Sequence, residues 1–120
     1  MILKSADDRR DELARLQQQT KSPDAVVAKV AATALRMRAA GANNEDNAAY
    51  FIDFGYAKTP NWVVIHDLRL ESHGRTAQID HLLICRTYEF YVLESKHFRA
   101  GVKITETGEF MRWDDYRKTY

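Results

Sequence analysis

The chain is poor in the residues that build several familiar kinds of site. It has one cysteine, two prolines and five glycines among 120 residues. A single cysteine cannot close an intramolecular disulfide, and it fits a reducing compartment, so a cytoplasmic location is expected. Cys85 lies in an apolar stretch and reads as a small buried hydrophobe. His66, His73, His81 and His97 stand in none of the spacings that hold zinc, so a structural zinc site is not supported. His81 and His97 read as ordinary surface histidines, with a supporting or DNA-contact role as the alternative. There is no glycine-rich phosphate loop and no Gly-x-Ser-x-Gly elbow. No apolar run reaches the length of a membrane span, and the N-terminus carries no signal-peptide pattern. Neither sign of charge dominates: 18 Lys and Arg against 17 Asp and Glu leave a net charge of +1. That is not the footprint of a tight, non-specific nucleic-acid binder. A local positive rim is compatible with it. Arg75, Arg86, Lys96, Arg99 and Lys103 crowd into one region, although each alone reads as solubilising charge.

What remains is an ordinary globular composition, 45% hydrophobic and 29% charged, enough for one small domain. Residues 1–22 are polar and Gln-rich, with Leu13 and Leu16 as rare anchors; over Ser5–Lys21 they predict a polar helix, as an arm or oligomer contact, with disorder as the alternative. Ser22-Pro23 has the form of a helix start, with Ser22 as cap. The spacing predicts a helix from Pro23 to Ala40, closed by Gly41, with Val27, Val30, Ala31, Ala34 and Met37 on one face. A further helix is expected from Asn44 to about Phe54, stopped by Gly55, with Glu45 in its first turn. The helix dipole alone favours an acid there. Strands follow near Trp62–Ile65, Leu68–Leu70, Arg75–Cys85 and Tyr88–Lys96, with a turn at Glu71–Gly74. A last hairpin pairs Val102–Thr105 with Glu109–Trp113. Helices followed by a strand meander argue for an α+β or α/β domain with helices packed on a mostly antiparallel sheet. No internal repeat or linker interrupts residues 23–120.

Two apolar stretches carry charge that needs an explanation. Gln78-Ile79-Asp80-His81-Leu82-Leu83-Ile84-Cys85 contains Asp80, and Phe90-Tyr91-Val92-Leu93-Glu94-Ser95-Lys96 contains Glu94 and Lys96. Charge embedded in a strand costs free energy unless it is paired, solvated or metal-bound. Residues two apart on a strand share a face, so Glu94 is expected beside Lys96. Asp, a hairpin and then Glu-x-Lys can bring two carboxylates and a lysine to one sheet edge, and hard oxygen ligands of this kind suit Mg²⁺. The plain alternative is a structural Glu94–Lys96 ion pair on a solvated edge.

The Gln78–Leu82 block, the Phe90–Lys96 block and the later Gly101 resemble the nuclease-related domain (NERD) family of the PD-(D/E)XK nuclease superfamily. Gly41-Ala42-Asn43-Asn44-Glu45 is similar to that family's glycine-rich turn before a glutamate. Trp62–Leu68 is similar to the strand before its Asp motif. Asn44 stands where the family has a second glycine, and Arg86–Glu89 replaces a glycine-containing hairpin. The resemblance covers residues 40–113. It implies a restriction-endonuclease-like core, with N-terminal helices on a central mixed, mostly antiparallel sheet. It also implies Mg²⁺- or Mn²⁺-dependent hydrolysis of DNA. Asp80, Glu94 and the backbone carbonyl of Ser95 would ligate the metal. Lys96 would position water or stabilise the scissile phosphate. Glu45 would hold an outer-sphere water or a second metal. Gln78, two residues before Asp80, would orient the lysine or a phosphate, unless it is only a strand-edge polar residue. A non-catalytic nucleic-acid-binding or oligomerisation module with the same fold is the alternative. The resemblance further implies a helix beyond Trp113. Either the chain is a fragment of a longer protein, or the N-terminal helices, of this subunit or of a homodimer partner, cover that sheet face.

Overall fold

The computed structural model describes residues 1–120. The chain runs β1 (Ile2–Lys4), α1 (Arg10–Gln19), α2 (Ala25–Tyr56), β2 (Trp62–Ser72), β3 (Arg75–Cys85), β4 (Phe90–Leu93), β5 (Val102–Ile104) and β6 (Phe110–Arg112). Four strands form one sheet in the order β1-β2-β3-β4, and β5-β6 is a separate hairpin. β1 is parallel to β2, while β2–β3 and β3–β4 are antiparallel, so the sheet is mixed. The fold class is therefore α+β, as the order of helices and strands implied.

The helices differ most from expectation. Two helices separated at Gly41 were expected; one helix runs unbroken through Gly41 and Glu45 to Tyr56. An isolated interior glycine costs only about 1 kcal/mol relative to alanine. Flanking alanines and a continuous packing stripe outweigh that cost. Ala31, Ala42 and Ala49 are the buried residues of α2. Their spacings of eleven and seven residues keep them on one line of the helix. Small side chains there let the neighbouring elements, α1 and β2, lie close on the helix. Val27, Val30 and Met37 lie off this line and stay exposed. The cap is Asp24 rather than Ser22: its carboxylate accepts from the Val26 and Val27 amides at 2.9 and 3.3 Å. Glu45 is thus mid-helix, and the dipole explanation for it falls away.

β2 and β3 form a long ribbon closed by His73-Gly74. Both residues have positive φ, 49° and 71°, which is the two-residue turn matched to the right-handed strand twist. The ladder runs from Ser72↔Arg75 to Trp62↔Cys85 in a single register. One pair is missing from it. Asp67 has φ 49°, and it lies opposite Asp80 between the His66↔His81 and Leu68↔Ile79 pairs. β4 ends at Leu93, shorter than the predicted Tyr88–Lys96, so Glu94 and Lys96 belong to the loop that follows. The aromatic chain Tyr56–Trp62–Tyr91 ties the end of α2 through β2 to edge strand β4, with centroids 5.2 and 5.5 Å apart. Cys85, at the end of β3, is half-buried.

The apolar core is small. Ala31, Ala42, Ala49, Val64, Leu82 and Leu83 are buried, and so are His66, Asp67 and His81. A third of the interior is therefore polar, and its partners decide what the middle of the sheet can be.

Candidate functional site

Asp80, half-buried on β3, points one carboxylate oxygen at the loop after β4. Its Oδ2 accepts a hydrogen bond from the Ser95 amide at 2.8 Å. This bond ties the two charged stretches of the sequence together at Asp80. It holds Ser95, between Glu94 and Lys96, directly against Asp80. The β3–β4 register ends at His81↔Leu93, so the loop leaves the sheet beside Asp80. Glu94 and Lys96 form an ion pair with each other, and both side chains are 63% exposed. The hydrogen bond and charge of Glu94 hold the Lys96 pKa above its ordinary value, with smaller contributions from Asp80 and Glu45. Lys96 is accordingly a cation at neutral pH.

Glu45 reaches the same region from α2. It pairs with Arg9 of the N-terminal arm at 2.5 Å. Burial raises its pKa, and repulsion from Asp80 and Asp67 adds to this against the pull of Arg9. The same Arg9 nitrogen donates to Asp67 Oδ1 at 2.6 Å, while the Asp7 amide donates to Asp67 Oδ2 at 2.8 Å. Burial opposes the charge of Arg9, but Asp67, Glu45 and Asp46 outweigh it and hold its pKa above the usual range. Like charges facing each other across a ribbon repel. The Asp67–Asp80 juxtaposition is tolerated because one acid is clamped by Arg9 and the other by a backbone amide.

His81 was read as a surface group, and the structure corrects this: it is buried, as is His66. Directly opposite on β2 and β3, His66 and His81 are bonded Nδ1 to Nδ1 at 2.8 Å. His66 Nε2 meets Asp53 Oδ1 of α2 at 2.7 Å, and His81 Nε2 meets Ser95 Oγ at 3.0 Å. Burial, then the neighbouring His66, depress the His81 pKa, so His81 is neutral at pH 7. Alternation along β3 does turn His81 away from Asp80, but towards the interior under α2.

A cleft of ≈ 690 Å³ opens beside these groups, lined by Glu45, Ser95 and Lys96 together with Arg99, Arg112 and Trp113. A second, of ≈ 500 Å³, lies on the other side of Glu45 and includes Gln78, Arg9 and Arg38. Gln78 is exposed and faces this second cleft rather than Lys96. Of the expected basic rim, Lys96 and Arg99 line the first cleft, joined by Arg112. Arg75 sits at the far hairpin end, and Arg86 donates to Asn61 Oδ1 at 3.4 Å.

The family model for the nuclease-related domain matches residues 40–120, more than half of the chain. The chain belongs to the nuclease-related domain family. No curated protein and no solved structure matches it. The matched span holds Glu45, Asp53, His66, Asp67, Asp80, His81 and Glu94–Lys96, whereas Arg9 lies outside it. No three His, Cys, Asp or Glu side chains are gathered tightly enough to hold a metal ion by themselves. The donor set implied by the NERD resemblance needs fewer: two carboxylates, Asp80 and Glu94, and the Ser95 carbonyl. These are hard oxygens of the kind Mg²⁺ takes while keeping several waters. Asp80 has one oxygen engaged by the Ser95 amide, and the exposed Glu94 carboxylate is paired with Lys96. No helix is long and apolar enough to cross a membrane.

Proposed function

We propose that this NERD chain is a metal-dependent DNA nuclease of the PD-(D/E)XK type. The observation that carries the reading is the Ser95 amide bond to Asp80, because it brings the Asp of β3 against the Glu94-Ser95-Lys96 segment. Asp80, Glu94 and the Ser95 carbonyl would hold Mg²⁺ or Mn²⁺. A bound divalent cation supplies a water of lowered pKa and neutralises charge at the phosphoryl oxygens. Lys96, a cation at neutral pH, acts towards the phosphate and orients water rather than taking its proton. The neighbouring Arg99 and Arg112 meet the flanking phosphodiesters along the cleft. Glu45, whose pKa is raised by burial and nearby acids, is the outer acid of the group, held in place by Arg9. Gln78, in the other cleft, belongs to strand contact rather than to lysine orientation.

The direct test is incubation of plasmid and linear DNA with Mg²⁺ or Mn²⁺, with Asp80→Ala as control. Nicking by the wild type and none by the variant is the expected outcome. A non-catalytic nucleic-acid-binding module is favoured by one specific observation: Glu94 and Glu45 each already have a cationic partner in the chain. Calorimetric titration that finds DNA binding but no Mn²⁺ binding would select that second reading.

A further inference from the structure

Asp53, His66, His81 and Ser95 form an unbroken hydrogen-bonded file of 2.7, 2.8 and 3.0 Å, and the proposed chemistry leaves all four side chains without a role. The two imidazoles are sealed from water, at 0% and 3% exposure. A neutral imidazole has one donor and one acceptor nitrogen. With both imidazoles neutral, the Asp53 carboxylate, which only accepts, puts the His66 proton on Nε2. His66 Nδ1 is then an acceptor, so His81 carries its proton on Nδ1. His81 Nε2 becomes an acceptor in turn, and the Ser95 hydroxyl donates to it. One carboxylate on α2 thereby sets the direction of every bond down to Ser95. β4 has ended at Leu93, and no turn or loop backbone–backbone bond involves residues 94–96. The Ser95 hydroxyl and amide are the anchors of that segment.

We propose that Asp53, His66 and His81 are positioning residues, which hold Glu94-Ser95-Lys96 in place against Asp80 by fixing the Ser95 hydroxyl. The importance of this for catalysis rests on the nuclease reading; the geometry does not. Supporting groups of this kind, which orient metal ligands through hydrogen bonds, typically matter by about 10–100-fold in affinity or activity.

The test is side-chain ¹H–¹⁵N correlation spectroscopy on the full chain labelled at histidine nitrogen, without metal. His66 is expected as the Nε2–H tautomer and His81 as the Nδ1–H tautomer. In Asp53→Ala, His81 loses its single tautomer although it does not touch Asp53, and the Ser95 amide exchanges at least about 10-fold faster. Asp53→Asn keeps an oxygen that accepts from His66 and restores both. DNA cleavage by folded Asp53→Ala falls about 10–100-fold. Should that variant fail to fold, Ser95→Ala tests the other end. It is expected to shift the His81 Nε2 resonance and leave the His66 tautomer unchanged. An unaltered His81 tautomer and Ser95 exchange in Asp53→Ala, no rescue by Asp53→Asn, or an unmoved His81 resonance in Ser95→Ala would overturn the proposal. The full spectroscopic signature in a wild type that cleaves no DNA supports the positioning file and sinks the nuclease reading alone.

Discussion

The two ends of the β2–β3 ribbon share one ladder and differ in what is attached to it. From Arg69 to Gln78, around the His73-Gly74 turn, every residue is exposed. The cleft at that end is lined by Leu70, Ser72, His73, Arg75, Thr76 and Ala77, with no carboxylate among them. At the other end, His66, Asp67 and His81 are buried among Val64, Leu82 and Leu83. Cross-strand hydrogen bonds are common to both, so they do not make a site. Cover does: α2 and the N-terminal arm shield the lower end from water, and each buried polar group must then find a partner. No buried side-chain nitrogen or oxygen is left without one. The candidate chemistry sits where that demand for partners is highest.

The contrast can be broken first at Asp80. Asp80→Asn and Lys96→Ala are each expected to lower DNA cleavage by at least about 100-fold while the circular dichroism spectrum stays native. Full cleavage by Asp80→Asn would end the assignment. Next comes the clamp. Arg9→Ala leaves buried Asp67 without its cation, with only the Asp7 amide as partner, and is expected to cost about 3 kcal/mol in urea unfolding. Asp67→Ala in the same chain should recover most of that loss, because the two residues are coupled. Simple additivity of the two losses would show that Arg9 matters for other reasons. The third effect is a slope with pH. The folded-state pKa of His81 is depressed, so the unfolded chain takes up its proton first. The stability from neutral His81 is full above about pH 6.5 and is lost as pH falls through the depressed folded value. Glu45 acts with the opposite sign: its raised folded-state pKa gives stability at acid pH that is lost as pH rises through that value. Thermal melts in metal-free buffer should show Tm falling on going from about pH 7.5 to about pH 6, with a smaller fall in His81→Gln. A slope identical in that variant would exclude His81 as its source. The smallest effects belong to the exposed end. Leu70→Thr should stay within about 0.5 kcal/mol of wild type. A loss above about 2 kcal/mol there would erase the distinction between the ends.

Much of this was legible in residues alone. β3, the C-terminal hairpin and the pairing of Asp80 with the Glu-x-Lys stretch follow from apolar runs and their interruptions. The helix break at Gly41 was misread because a local signal was weighed without the buried Ala31-Ala42-Ala49 line that overrides it. β1 was missed because three residues beside a polar arm carry no period. The histidine file was hidden for a different reason. Once His73-Gly74 is taken as a two-residue turn, counting outward pairs His66 with His81 and sets Asp67 opposite Asp80. A four-residue turn and a divided β2 conceal that register. Arg9 had no such signal, because its place depends on how the N-terminal arm crosses the sheet. Glu94 and Lys96 were expected to meet through strand alternation; they meet in a loop, through mutual attraction.

The length of α2 has a consequence for how the chain tolerates insertions. Glu45 faces Arg9 and the acids, and Asp53 faces His66, from the same rigid rod. Eight residues separate them, about 12 Å of rise. One added residue between them would turn one contact about 100° away from the other, and no side-chain rotamer spans that gap. Helix phase is thus what links the N-terminal clamp to the histidine file. Substitutions at exposed positions such as Tyr50 and Phe51 are the changes this stretch can absorb; a larger side chain at buried Ala49, or a change of length, is not.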